Sequence, residues 1–191
     1  MEDKILNIAQ LITNSKVNGP GNRDVVWLQG CSVGCKGCCN QAMWSYEPKY
    51  LIYVNDLLKK IETRIGQIEG ITISGGEPTE QAEALYCLLK GIQALGLSTM
   101  LYSGYTHEYL LKKQDKHIQN LLSVTDILID APFIQSQKKE DLIWRGSSNQ
   151  NIILLSNRYN ENSIKQYTLI KEVHLFQEKD YGLTEIRTGI W

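Results

Sequence analysis

The run Asp24-Val25-Val26-Trp27-Leu28 reads as a strand, and it opens a series in which short β-rich segments alternate with helical patterns. Residues 54–67 set Leu57, Leu58, Ile61 and Ile65 on one helical face. Gly70-Ile71-Thr72-Ile73 is a short strand ending at Ser74-Gly75-Gly76, with Thr79 the expected N-cap of the next helix. That helix carries Ala82, Leu85, Leu88, Leu89, Ile92 and Leu95 at helical spacing and stops at Gly96. Residues 98–102, 126–130, 151–155 and 173–176 read as further strands, and 107–122 as one more helix. Strands separated by helices of this length predict parallel pairing through right-handed crossovers. About six such units are too few to close an eight-unit barrel, so the expected fold class is α/β, an open or partial β/α barrel. A ligand site then belongs at the C-terminal ends of the strands. The segments that follow the strand ends are the cysteine-rich loop, Ser74-Gly75-Gly76-Glu77, Tyr102-Ser103-Gly104 and Asp130, and they converge on one rim.

Four of the five cysteines lie within nine positions, Cys31, Cys35, Cys38 and Cys39, directly after the first expected strand. Three thiolates at x3 and x2 spacing can wrap three corners of a cubane iron–sulfur cluster, with Gly34 and Gly37 letting the loop turn tightly. A three-cysteine site leaves the fourth iron open to a substrate, whereas an electron-transfer cluster normally has four ligands. A structural zinc site would want a second pair of ligands, which the sequence does not offer. Cys87 sits in an apolar helical pattern, where a small buried hydrophobe is the plainer role. Unligated thiols, and a fourth ligand from Cys39 or Cys87, stay open on spacing alone. After the next strand, two glycines remove side chains where a ligand or backbone approaches closely, and Glu77 can accept from an ammonium.

Cys31-x3-Cys35-x2-Cys38 in a loop after a strand resembles the signature of the radical S-adenosylmethionine (SAM) superfamily, with Gly37 where an aromatic residue is usual. Ser74-Gly75-Gly76-Glu77-Pro78 resembles that superfamily's Gly-Gly-Glu motif. Val17-Asn18-Gly19-Pro20-Gly21-Asn22-Arg23 is similar to a segment of glycyl-radical-enzyme activases. Cys38-Cys39-Asn40-Gln41-x-x-Trp44, Tyr102-Ser103-Gly104-Tyr105-Thr106, Asp126 to Phe133 and Trp144-Arg145-Gly146-Ser147-Ser148-Asn149-Gln150 resemble the activase family of anaerobic ribonucleotide reductase. Cys39 stands where that family has tyrosine, and Ala131 where it has glycine.

The resemblance covers roughly residues 15–155 and implies a single radical SAM domain over 1–191. It implies a [4Fe–4S] cluster on Cys31, Cys35 and Cys38 and SAM as the second cofactor. Ser74, Gly75, Gly76, Glu77, Ser103, Asp130 and Arg145 are its candidate SAM contacts. On their own chemistry, Ser103 suits a ribose or carboxylate and Arg145 a carboxylate. Asp130 suits a hydroxyl or a helix cap. The implied activity is reductive cleavage of SAM to a 5′-deoxyadenosyl radical, used to make a glycyl radical on a partner enzyme. The implied partners are the anaerobic reductase and a flavodoxin or ferredoxin as electron donor. No catalytic residue beyond the cluster ligands is implied. The alternatives are a minimal radical SAM enzyme acting on a peptide or small molecule, and a non-catalytic iron–sulfur carrier or sensor.

Charge and hydropathy narrow the remaining classes. Twenty basic residues oppose twenty-one acidic ones, so there is no electrostatic footprint for nucleic acid. Neither a signal peptide nor an apolar run of roughly 20 residues is legible, which predicts a cytoplasmic protein with reduced thiols.

Overall fold

The computed structural model describes residues 3–167. The expected strand at 173–176, and the rest of the chain after residue 167, lie outside the described residues. One sheet of seven strands organises the described residues: β1 (Ile5–Ser15), β2 (Arg23–Leu28), β3 (Tyr50–Tyr53), β4 (Gly70–Gly75), β5 (Ser98–Tyr102), β6 (Ile127–Asp130) and β7 (Asn151–Leu154). Their spatial order is β3-β1-β2-β4-β5-β6-β7, so the sheet is open and not closed into a barrel. The middle four strands, β2-β4-β5-β6, are parallel. This is the crossover pairing that alternating strands and helices predict.

Both flanks are antiparallel, which the alternation of strands and helices does not predict. β1 runs against β2 and β3, and β7 runs against β6. The chain between β6 and β7 has no α-helix to carry it back across the sheet, so it can only return as an antiparallel neighbour. β1 also makes the cysteine loop follow the second strand rather than the first. Its sequence, Ile5-Leu6-Asn7-Ile8, alternates, with Leu6 and Ile8 buried and Ile5 exposed.

The helices α1 (Val54–Glu62), α2 (Ala82–Ala94), α3 (His107–Lys112) and α4 (Lys116–Ser123) include the main cover of one sheet face. Leu57 and Ile61 of α1, Leu85, Leu88, Leu89 and Ile92 of α2, and Ile118 and Leu121 of α4 join Val26, Leu28, Ile71, Ile73, Leu101 and Leu128 in the largest core. Burying these side chains stabilises the fold by roughly 25 cal/mol for each Å² of apolar surface removed from water. The alternate residues of the same strands face the other way. There they form two separate patches, Ala9, Ile12, Val25 and Trp27 in one, and Met100, Ile127, Ile129, Tyr159 and Ile164 in the other. Ile164 belongs to α5 (Glu161–Lys165).

Two local expectations change. The helix expected over 107–122 is two helices, because Gln114 takes a left-handed φ of 51° and Asp115 recaps the chain by accepting from the His117 and Ile118 N–H groups. Thr79 is not an N-cap. A 3-10 turn, Pro78–Gln81, precedes α2, and it is Glu77 whose side chain accepts from the Thr79 N–H.

Candidate functional site

The loop after β2 carries the cysteines outward and returns through a 3-10 turn at Gln41–Met43. Gly34 (φ 62°) and Gly37 (φ 77°) adopt the left-handed backbone that lets so short a loop reverse twice. A Cβ on Gly37 would lie 2.8 Å from Gln135 Cδ, so the β6–β7 connection packs directly on this loop. Loop and sheet are joined by Gly30 N–H to Met43 O (2.8 Å) and Cys31 N–H to Trp44 O (3.1 Å). Glu80 holds the outer turn: its Oε1 accepts from the Ser32 N–H (3.0 Å) and hydroxyl, and its Oε2 from Tyr46 Oη (2.5 Å).

Cys31, Cys35 and Cys38 are half-buried free thiols on this loop, while Cys39 is exposed. Burial pushes the Cys31 and Cys35 thiols up, against backbone N–H groups of Val33 and Gly34 on the first and of Phe133 on the second. Cys38 goes the other way, to about 6, chiefly because the Cys39 thiol donates to it, with the Asn40 N–H and Trp44 indole adding. Donors aimed at sulfur are the environment of an iron–sulfur cluster's ligands, so the residues present fit the group. Among the described residues no three His, Cys, Asp or Glu side chains converge on a single metal ion. A cubane asks instead that each thiolate take a different corner. Cys87 packs against the main core, in keeping with a small buried hydrophobe.

The turn after β4 is stitched to the start of the cysteine loop. Gly76 N–H donates to Leu28 O (2.8 Å) and Glu77 N–H to Gly30 O (2.8 Å). A Cβ on Gly75 would sit 2.2 Å from Leu28 N, and one on Gly76 would sit 1.9 Å from Gly30 O. The two glycines are therefore required by backbone against backbone. Glu77 is buried and its carboxylate is already engaged. Oε1 accepts from the Thr79 N–H (3.0 Å), the Thr79 hydroxyl (2.7 Å) and the Ser103 hydroxyl (3.0 Å), and Oε2 from the Gly104 N–H (2.7 Å). Burial pushes this carboxyl up, and those four donors pull it back down. Ser74 is buried on β4 beside Trp27 of β2.

The remaining candidates meet the same rim. Ser103 N–H donates to Ile129 O (2.8 Å), tying the ends of β5 and β6. Asp130, also buried, accepts from the His107 N–H (2.8 Å) and from Asn151 Nδ2 (2.8 Å), so it caps α3 and holds β7. Arg145 is different. Its Nη1 donates to Gln150 O (3.2 Å), but its Nε is buried with no partner. Asn149 in the same loop gives Nδ2 to Pro132 O (2.8 Å) and keeps a buried Oδ1 without a partner. One bare donor and one bare acceptor in a single loop fit a polar organic ligand such as SAM. Tyr102-Ser103-Gly104 and the cysteine loop also meet through Ser32 Oγ and Tyr105 Oη, 3.0 Å apart. Sequence reasoning missed Glu80, Tyr46 and Gln135 as supports of the cysteine loop, because their partners lie 34 to 98 residues away in sequence and no local pattern marks them.

Residues 17–153 match the family of the 4Fe-4S single cluster domain. The chain is 34% identical over 156 residues to the anaerobic ribonucleoside-triphosphate reductase-activating protein of Haemophilus influenzae, covering 76% of this chain and 96% of that one. It is 36% identical over 155 residues to the protein of the same name from Vibrio cholerae, with the same coverage. The chain belongs to the anaerobic ribonucleoside-triphosphate reductase-activating protein family. The corresponding Escherichia coli protein is 31% identical over 154 residues. QueE from Escherichia coli, a solved structure, aligns over 54% of each chain at 22% identity with a TM-score of 0.45. The matched family model is that of a 4Fe-4S cluster domain, in keeping with the cluster expected on the cysteine loop. No helix among the described residues is long and apolar enough to cross a membrane.

Proposed function

We propose that this chain is a cytoplasmic, single-domain activating enzyme that generates a glycyl radical on an anaerobic ribonucleotide reductase. Cys31, Cys35 and Cys38 would hold the cluster, with SAM as its second cofactor. Together they would supply the one-electron chemistry that yields a 5′-deoxyadenosyl radical, able to take a hydrogen atom from a glycine Cα of the partner. The electron would come from an external one-electron donor of the flavodoxin or ferredoxin class.

The protein's own part is positional. What carries the reading is the joint between the cysteine loop and the Gly75-Gly76-Glu77 turn, made by two 2.8 Å backbone bonds. It fixes the cluster side of the site to the turn expected to receive the methionine end of SAM. Glu77 acts through its four donors, locking that turn to Ser103 and Gly104, while Gly75 and Gly76 bring it against the backbone of Leu28 and Gly30. Arg145, with its uncommitted Nε, is the partner for the SAM carboxylate. Asp130 and Ser103 hold the ends of β5 and β6 at the rim. No general base is needed, since a hydrogen atom rather than a proton is moved. The rim serves to exclude water and to keep the target carbon close.

The test is anaerobic. Reconstituted protein, reductant, SAM and the cognate reductase should give the EPR doublet of a glycyl radical together with 5′-deoxyadenosine. Both should vanish in Cys35→Ala. Deoxyadenosine without a doublet on any cognate reductase would rule out this target.

A further inference from the structure

The two halves of the cysteine loop are held by different means. Around Cys38 the loop braces itself: Cys38 N–H donates to Cys35 O (3.1 Å) and Asn40 N–H to Cys38 Sγ (3.3 Å). Around Cys31 it is braced from outside. Glu80 belongs to the 3-10 turn Pro78–Gln81, directly after Gly75-Gly76-Glu77. Its Oε1 accepts from the Ser32 N–H (3.0 Å) and the Ser32 hydroxyl, and its Oε2 from the Tyr46 hydroxyl (2.5 Å). Tyr46 also covers the residue before Cys31, since a Cβ on Gly30 would lie 2.9 Å from its ring. Val33 packs on Gly104, where an added Cβ would lie 3.0 Å from Val33 Cγ2.

These bonds close on themselves. Ser32 Oγ lies 3.0 Å from Tyr105 Oη, and Tyr105 N–H donates to Ser103 Oγ (3.1 Å). The Ser103 hydroxyl donates to Glu77 Oε1 (3.0 Å), and Glu80 N–H returns to Glu77 O (3.1 Å). The ring joins the Cys31 end of the loop to the ends of β4 and β5. Ser32, Tyr46 and Glu80 are exposed, where water competes and one hydrogen bond adds little to the stability of a fold. A carboxylate that gathers several donors from one loop instead gives short, directional bonds that set the loop's shape.

We propose that Glu80 is a positioning residue for the cluster, fixing the Ser32 turn so that Cys31 is in place before iron arrives. This rests on Cys31 being a ligand, as proposed above. Outer groups that orient a metal ligand typically carry about 10- to 100-fold of metal affinity. The cause is entropic, because a loop already shaped has less freedom to lose when it closes on its ligand.

The experiment compares reconstituted wild type, Glu80→Ala, Glu80→Gln and Cys31→Ala, without SAM or reductase. It measures iron and sulfide content, then the rate at which a ferrous chelator removes the cluster. Circular dichroism and urea unfolding of the cluster-free proteins report the fold. Glu80→Ala should keep the wild-type unfolding midpoint and lose its cluster about 10- to 100-fold faster. Glu80→Gln, whose amide oxygen still accepts from Ser32, should recover most of that loss. Wild-type retention in Glu80→Ala, beside a lost cluster in Cys31→Ala, overturns the inference and leaves the ligand assignment standing. A glutamine variant as leaky as the alanine one also overturns it, because the acceptor would not be what matters. So does a cluster-free Glu80→Ala that no longer folds, which would make Glu80 a residue of the fold. A full, stable cluster in Cys31→Ala removes the ligand assignment itself, and this inference with it.

Discussion

Arg23 and Arg145 stand at opposite ends of the sheet and are treated in opposite ways. Arg23 begins β2, at the edge far from the cysteine loop, and its side chain is fully buried. Its guanidinium donates from Nε to Thr72 Oγ1 (2.7 Å), from Nη1 to Ser98 Oγ (2.7 Å) and from Nη2 to Ile71 O (2.7 Å). Longer bonds reach Pro20 O and Ser98 O. One side chain thereby ties the starts of β2, β4 and β5 together. Arg145, at the other end, makes one bond and buries an unpaired Nε. A saturated arginine holds the fold; an unsaturated one is held ready for something that arrives. Both residues belong to motifs that resemble the activase family, so a shared motif does not by itself mark a site.

That contrast breaks if Arg23 is dispensable. Arg23→Met removes the charge but deprives Ser98 Oγ and the carbonyls of Pro20, Ile71 and Ser98 of this donor in a buried setting. Each unsatisfied group costs about 1–3 kcal/mol, so a loss of at least about 3 kcal/mol is expected. Urea denaturation of the cluster-free protein would read it directly. Stripping the cluster with a chelator should do far less to the fold. The main core lies on the opposite side of the sheet from the two smaller apolar patches and includes none of Cys31, Cys35 and Cys38. The far-ultraviolet circular dichroism of the described domain should persist after iron removal. A cooperative collapse on chelation would show that the cysteine loop is a folding element after all.

Arg145 sharpens the comparison from the other side. Arg145→Ala should leave the unfolding midpoint close to wild type, because it breaks one exchangeable bond to Gln150 O. SAM affinity, measured by equilibrium binding, should fall about 10- to 100-fold, the worth of a hydrogen bond to a charged group. Arg145→Lys should recover little, since an ammonium cannot reproduce the fork. A large drop in stability with unchanged SAM affinity would make this arginine a second Arg23.

Much of this was legible in the sequence, and the failures have physical causes. The parallel core could be read because β4 and β5 are buried on both faces and sit between well-patterned helices. The cysteine loop was legible because its spacing is local chemistry. β3 was hidden because four residues, Tyr50 to Tyr53, run straight into α1 and look like its first turn. The antiparallel flanks depend on which strand a loop returns to, which periodicity does not record. Glu77 shows a subtler limit. The Gly-Gly-Glu pattern marked the right turn, but composition could not reveal that four protein donors already occupy its carboxylate. Its observed part is therefore to hold the turn after β4 against Ser103 and Gly104.

The smallest expected effect tests a place where this chain departs from its family's pattern. Ala131 stands where glycine is usual, and it occupies the left-handed region at φ 78°. It is held there at both ends: its N–H donates to Tyr105 O (3.0 Å), and its carbonyl accepts from Gln150 Nε2 (3.1 Å). For an alanine that backbone costs about 1–2 kcal/mol. Replacing it by glycine releases the strain but adds about 0.4–1 kcal/mol of unfolded-state entropy and gives up a buried methyl. Ala131→Gly should therefore leave the stability within about 0.5 kcal/mol of wild type. Ala131→Val adds β-branching at positive φ and should cost more than about 2 kcal/mol, since such residues tolerate that region poorly. The pair of variants separates backbone strain from packing: if valine were tolerated as well as glycine, the turn after β6 would be soft, and the rim residues it carries, Asn149 and Gln150 among them, would not be fixed by the sheet.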